Sequence, residues 1–148
     1  MKVKKVMSEN PAFCTPEMGL RDVAHLMVEF DCGAIPVVED AVNKKPVGMI
    51  TDRDIVTNSI AAGKNALAMT AAEIMTFPAR TVSENAKLDE CVEQMEEEMI
   101  RRMIVVDKSG ALCGIVSQAD IALRGDEELA GELLKDVSKA HKARFQRP

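Results

Sequence analysis

Apolar positions along the chain alternate between two spacings, and the alternation runs through the same order twice. Apolar residues at 20, 23, 24, 27 and 28 fall on one face of a helix, because residues three and four apart share a helical side. The same spacing returns at 88, 91, 92, 95 and 99. A continuous apolar run follows each helix, Ala34–Val38 and then 103–106, the pattern of a strand buried on both faces. Further strands are read at 47–50 and 112–116, short first strands at 13–15 and Thr81–Ser83. Helical patterning resumes after Thr51 and after Ser117. Each half therefore reads strand, helix, strand, strand, helix, and the fold class is α+β.

The two halves match residue by residue. Met7 matches Met75, an offset of 68, at which Leu20 meets Leu88, Val23 meets Cys91, and Met27 meets Met95. After the second strand the offset falls to 66, Gly48 to Gly114, so copy one carries two extra residues between Glu39 and Gly48. A length change there belongs in a hairpin loop. Two copies of one unit are expected to pack together and to offer ligands a groove between them. The repeats divide the chain into 1–63, 70–125 and a helical tail, 126–148.

Smaller signals complete the outline. Asp107, Lys108, Ser109 and Gly110 read as a turn, with glycine able to take positive φ. Thr70 and Glu73 read as a capping box before Met75. The glutamates at 93, 96, 97 and 98 fall between apolar positions and read as a solvated face. Asp126 can cap a last helix with Leu129, Leu133, Leu134 and Val137 on one side. That helix either covers the module or packs on a second subunit.

Composition narrows the function classes. The chain has 148 residues, no Trp, no Tyr and ten Met. Its core is therefore aliphatic and adaptable, and a flat ligand would lie between aliphatic side chains. A net charge of −5 argues against nucleic-acid binding through bulk charge. The basic tail (Lys139, His141, Lys142, Arg144, Arg147) reads as a solvated helix end, with nucleic-acid contact as the alternative. No apolar run approaches membrane-spanning length and no apolar segment follows the basic N-terminus. The expected compartment is the cytoplasm, without membrane association.

Each of the four cysteines sits where the other copy has a branched aliphatic. Cys14 meets Val82, Cys32 meets Ile100, Cys91 meets Val23, and Cys113 meets Val47. Cysteine acts there as a small hydrophobe. No C-x-x-C pair occurs and neither histidine stands at ligand spacing from a cysteine, so no metal is expected. His25 lies off the apolar stripe and is expected to be exposed.

One polar constellation occurs twice. Gly48-Met49-Ile50-Thr51-Asp52-Arg53-Asp54-Ile55 matches Gly114-Ile115-Val116-Ser117-Gln118-Ala119-Asp120-Ile121. A hydroxyl residue three positions before a carboxylate is what a helix N-terminus wants for capping. Its recurrence at matched places admits a second reading. The free N–H groups of a helix start suit a phosphate, the hydroxyl can donate to it, and the carboxylate can accept from vicinal ribose hydroxyls.

With these segments, Val6-Met7-Ser8 and Ile74-Met75-Thr76, and Ile35-Pro36-Val37-Val38 and Met103-Ile104-Val105-Val106, the chain resembles a tandem pair of CBS domains, a Bateman module, over residues 1 to about 125. The resemblance implies two β-α-β-β-α repeats packed with pseudo-twofold symmetry and adenosyl ligands in the clefts between them: AMP, ADP, ATP, NAD or S-adenosylmethionine. It implies that Asp54 and Asp120 hold ribose, and that Thr51 and Ser117 contact phosphate. The adenine slot would be lined by Phe13, Cys14 and Thr15, by Thr81 and Val82, and by Ile35-Pro36 and Met103-Ile104. Copy two departs from the family with Ile104 in place of proline. Arg101 and Arg102 stand where copy one has Gly33 and Ala34; they suit a solvated helix end or a phosphate. Arg53 has Ala119 as its counterpart. The two sites are expected to differ in affinity.

The reading that follows is a regulatory, signal-transducing nucleotide-binding module without catalysis, a homodimer acting on an unidentified effector protein. No glycine-rich phosphate loop or nucleophile–base set is present. The alternative is a thiol-based redox protein or enzyme using Cys14 or Cys32.

Overall fold

The computed structural model describes residues 1–125 and 127–145. The elements in order are β1 (Ser8–Glu9), α1 (Leu20–Glu29), β2 (Ala34–Val38), β3 (Pro46–Thr51), α2 (Asp52–Ile55), α3 (Ala71–Ile74), β4 (Thr81–Ser83), α4 (Leu88–Glu98), β5 (Arg102–Val106), β6 (Leu112–Ser117), α5 (Gln118–Arg124) and α6 (Glu127–Phe145). The fold is α+β, as the periodicity predicts. The chain forms two compact units. One holds Asn10–Arg80 with Gly110–Leu112; the other holds Met1–Glu9 with Thr81–Ser109 and the described residues from Cys113 onward.

The first unit is built on the β2–β3 hairpin, in which Ala34 pairs with Thr51 and Ile35 with Ile50. Leu20 and Val23 of α1 bury against Cys14, Ile35, Val37 and Ile50. Burying such a side chain contributes about 1.5–3 kcal/mol, which fixes the helix on the sheet. The two extra residues lie in the hairpin loop, where Asp40 Oδ1 accepts the N–H groups of Val42 and Asn43. Those bonds, Asn43 first, hold its carboxyl below the usual range.

The second unit carries a sheet of order β1-β6-β5-β4. Its core gathers Val3, Val6 and Met7 with Leu88, Cys91, Met95, Met103, Val105, Val116 and Ile121. The tail helix α6 covers this core: Leu133 and Val137 are buried and Leu129 is partly buried. Leu134 is exposed instead, because it points away from the side that Leu133 and Val137 share. Asp126 and Arg147 lie outside the described residues.

The leading segments are exchanged between the repeats. Met7-Ser8, which opens copy one, belongs with copy two: Ser8 pairs with Ile115 and Glu9 with Gly114. Thr76, the counterpart of Ser8, pairs with Met49 of copy one. Both glycines of the duplicated motif are explained by this pairing. A Cβ on Gly48 would lie 2.7 Å from the Thr76 carbonyl oxygen and 2.9 Å from Met75 Sδ; one on Gly114 would lie 2.6 Å from Met7 Sδ and 3.0 Å from the Ser8 carbonyl oxygen. The backbone must approach that closely for the leader to pair, so glycine is required.

Several expectations need correction. The first strand at 13–15 shrinks to one parallel bridge, Cys14 to Val37, whereas Thr81–Ser83 pairs at all three residues with β5. In copy two the next N–H, of Glu84, continues the ladder by donating to Val106 O at 2.9 Å. Its counterpart is Pro16, which has no N–H to donate. The Thr70 side chain does not cap α3; its hydroxyl lies 3.4 Å from Glu73 Oε1. Val28 is exposed, and Met99 has left α4, taking φ 57° at its C-terminal cap. The helix after Thr51 is regular for four residues and continues as a π-helical turn, Val56–Ile60, where the buried Ser59 hydroxyl donates to the Ile55 carbonyl. Glu96 leaves the solvated face, since its Oε1 is shut off from solvent.

The expectations for the turn, for His25 and for two of the cysteines hold. Gly110 takes φ 83° in the turn after β5, where the Ser109 N–H donates to Asp107 Oδ1 at 2.8 Å. His25 is exposed, and Cys14 and Cys91 are buried among aliphatics. Among the described residues, no helix is long and apolar enough to cross a membrane.

Candidate functional site

Both copies of the duplicated motif form the same local structure. Thr51 ends β3 in extended conformation and caps α2. Its Oγ1 accepts the Asp54 N–H at 3.1 Å, and Asp54 Oδ2 accepts the Thr51 N–H at 2.9 Å. Ser117 ends β6 and caps α5 in the same way, with Asp120 N–H to Ser117 Oγ at 3.1 Å and Ser117 N–H to Asp120 Oδ2 at 2.9 Å. The Ser117 hydroxyl also donates to Oδ2 at 2.9 Å.

The capping reading is therefore correct at both places. It also leaves chemistry over. The cap engages Oδ2 of each aspartate, so Oδ1 remains as an acceptor that is already oriented. Asp54 and Asp120 are half-buried, each at the first turn of a helix where backbone N–H groups point outward. A carboxylate held this way costs no further ordering when it accepts a hydroxyl pair.

The first unit contains Asp54 and Thr51, and also Ile35, Pro36, Phe13, Cys14 and Thr15. Cys14 N–H donates to Pro36 O at 3.0 Å, and Val38 N–H donates to Cys14 O at 2.9 Å, which sets the 13–15 segment beside β2. Phe13 is half-buried, with the Lys44 ammonium 5.1 Å from its ring centre. The second unit contains Asp120 and Ser117, and also Thr81, Val82, Met103 and Ile104. Thr81 pairs with Ile104. Val82, Met103 and Ile104 are buried.

The entry to each helix differs in charge. Asp52 N–H donates to Gly33 O at 3.0 Å, and Gln118 N–H donates to Arg101 O at 2.9 Å. These matched bonds put Gly33 and Asp52 at one helix start, Arg101 and Gln118 at the other. A Cβ on Gly33 would lie 3.0 Å from Asp52 Oδ2. Arg53, Arg101 and Arg102 are exposed.

Sequence reasoning overlooked Ser8. Its hydroxyl donates to Asp120 Oδ1 at 3.3 Å, on the oxygen that the cap leaves over. Arg124 holds the same leader through the Val6 and Met7 carbonyls, each at 3.4 Å. The available signal was the pairing of each Met-[Ser/Thr] leader with a glycine one repeat away.

Ionisation is disfavoured at three of the thiols. Burial, with Glu17 adding to it, pushes the Cys14 thiol up to about 12. Burial pushes Cys91 up to about 11, and burial with Glu84, Asp107 and Glu9 pushes Cys113 up to about 11. Thiolate is then scarce at neutral pH, which counts against Cys14 as a nucleophile. Among the described residues, no group of three or more His, Cys, Asp or Glu is placed to hold a metal ion. An open depression of about 510 Å³ lies on the second unit between Lys4, Glu84, Asn85 and Lys108, apart from the Ser117 and Asp120 pair.

A family model of the CBS domain matches residues 3–60 and 71–125. The chain is 34% identical over 137 residues to the CBS domain-containing protein YhcV of Bacillus subtilis, covering 92% of this chain and 94% of that one. It is 37% identical over 118 residues to an uncharacterised protein of Methanopyrus kandleri, spanning 80% of this chain and 59% of that relative. Among solved structures it is similar to Hypoxic Response Protein I with two coordinated zinc ions (TM-score 0.73, 33% identity, 83% of this chain and 98% of that). It is also similar to the CBS domain pair of protein MJ0100 in complex with 5'-methylthioadenosine and S-adenosyl-L-methionine (TM-score 0.72, 28% identity, 83% and 94%). This chain belongs to the CBS-domain family and carries two tandem CBS repeats.

Proposed function

We propose that the protein is a regulatory module that binds adenosyl ligands at its two capped aspartates and signals their presence to a partner protein, without catalysis of its own. The observation that carries this reading is the duplicated cap, which uses Oδ2 of Asp54 and Asp120; Oδ1 of Asp54 is left for a ligand, and Oδ1 of Asp120 takes one beside or in place of the Ser8 hydroxyl. The MJ0100 pair, which was solved with two adenosyl compounds, supports the ligand class. Asp54 and Asp120 accept from ribose hydroxyls. Thr51 and Ser117, with the helix N–H groups, face phosphate or the substituent that replaces it.

Charge separates the sites. Arg101 and Arg102 favour a phosphorylated ligand such as AMP, ADP, ATP or NAD in the second repeat. Asp52 beside Gly33 favours a less anionic one, such as S-adenosylmethionine, in the first. The exposed side chains of Val28, Phe30, Leu123 and Leu134 supply apolar surface for the proposed homodimer. A thermal-shift series with AMP, ADP, ATP, NAD and S-adenosylmethionine tests the proposal. A ligand at a hundred times its Kd adds about 2.7 kcal/mol. A flat response to all five, at millimolar concentration, would remove the adenosyl reading.

A further inference from the structure

Helix α6 has no counterpart in the first repeat. It packs on α4 and α5 and seats Leu133 and Val137 in the second core, 0% and 3% exposed. Each anchor follows an acidic residue, Glu132 and Asp136. Docking the two anchors therefore carries two carboxylates toward α4. Glu96 receives them there. Its side chain is half-buried, and its Oε1 is shut off from solvent without a hydrogen-bond partner among the described residues. Among the described residues, the charged groups acting on it are carboxylates, Asp136 and Glu132 from α6 and Glu93 from α4 itself. The cation of α5, Arg124, is turned to the Val6 and Met7 carbonyls.

We propose that α6 is a proton-controlled cover, seated on the second-repeat core when Glu96 carries a proton and loosened when Glu96 ionises. A neutral carboxyl loses little by being shut off from water, whereas a carboxylate loses its solvation and is repelled by three neighbours of like charge. Burial first, then Asp136, Glu132 and Glu93, raises the Glu96 pKa above the ordinary carboxylate value. The sign follows by linkage. The seated state holds the proton more tightly than the loosened one, so seating is complete below the ordinary value. It weakens as pH rises through the raised value. Arrival of charge at one buried oxygen thus acts on a helix whose described apolar anchors are Leu129, Leu133 and Val137.

The test is amide hydrogen exchange on the full chain between about pH 4.5 and 8, corrected for intrinsic exchange rates. Protection across residues 133–137 is expected to fall several-fold with rising pH, because the seated state holds the proton more tightly than the loosened one. Glu96→Gln is expected to abolish that dependence and to hold the acidic level of protection throughout. Asp136→Asn is expected to move the midpoint to lower pH, by removing one repelling charge while leaving Glu96 titratable. Protection that is flat with pH in the native protein overturns the proposal. So does a Glu96→Gln variant that keeps the native slope, or a midpoint that Asp136→Asn leaves in place.

Discussion

The two capped aspartates share a frame and differ in charge. Thr51 with Asp54 and Ser117 with Asp120 repeat the same pair of bonds, 2.9 and 3.1 Å in both copies. Around them almost nothing polar is repeated. The first helix start has Gly33, Asp52 and Arg53; the second has Arg101, Gln118 and Ala119, with the Ser8 hydroxyl on Asp120. Duplication has kept what fixes the backbone and released what sets charge. On the proposed function, the shared frame would give both sites one ligand class, and the unshared charges would give each site its own preference within it.

The largest effect expected from breaking the comparison lies in the helix that only one unit has. Leu133→Ala empties a fully buried position in the second core, which should cost about 2–5 kcal/mol. Hydrogen exchange should show the loss in α4 and β5 and spare the β2–β3 hairpin. Next come the matched glycines. Gly48→Ala drives a Cβ to 2.7 Å from a backbone oxygen, whereas the closest atom to Gly114 is the end of a flexible methionine. Gly48→Ala should cost about 1–3 kcal/mol and Gly114→Ala less, read from thermal unfolding of the two variants.

Smaller effects concern ligands and thiols. Arg101→Gly gives the second site the residue of the first. It should weaken ATP binding several-fold, about 1 kcal/mol, while leaving S-adenosylmethionine little changed. Calorimetry with both ligands sharpens or removes the charge distinction. The smallest effect is expected from exchanging each cysteine for its counterpart: Cys14→Val, Cys32→Ile, Cys91→Val and Cys113→Val. These are swaps of similar volume in aliphatic surroundings, costing about 1.5 kcal/mol or less each. The variant should bind ligand as the native chain does; folding with lost binding would return a role to the thiols.

Much of this was legible in the chain. The periods at 20–28 and 88–95 placed both helices, and the continuous apolar runs placed β2 and β5, because those signals are local. The first strand of copy one was not legible by alignment alone. Its counterpart pairs three residues, but Pro16 withdraws the N–H that Glu84 supplies. Nor was the exchange of leaders. Pairing of Ser8 with Ile115 spans most of the chain, and no local pattern encodes a partner so distant. The glutamate run misled for the same reason. Glu96 follows the polar spacing of a solvated face, yet one of its oxygens is shut off from solvent on the helix that α6, from outside the repeat, packs against. Of the candidate site, the caps were predictable from spacing, while Ser8 was visible only once the leader had been placed.

Isothermal titration calorimetry of the native chain, Asp54→Ala, Asp120→Ala and the double variant tests the central claim most directly, using whichever of the five adenosyl ligands binds the native protein most tightly. Each lost hydroxyl–carboxylate contact should weaken its own site by about 1.5–3 kcal/mol, roughly ten- to a hundredfold, with the other site unchanged. The double variant should lose both. Losing a cap costs about 0.5–2 kcal/mol of stability, so circular dichroism should show all three variants folded. A folded double variant that binds with native affinity and stoichiometry would contradict the account and leave the duplicated motif as a helix cap alone.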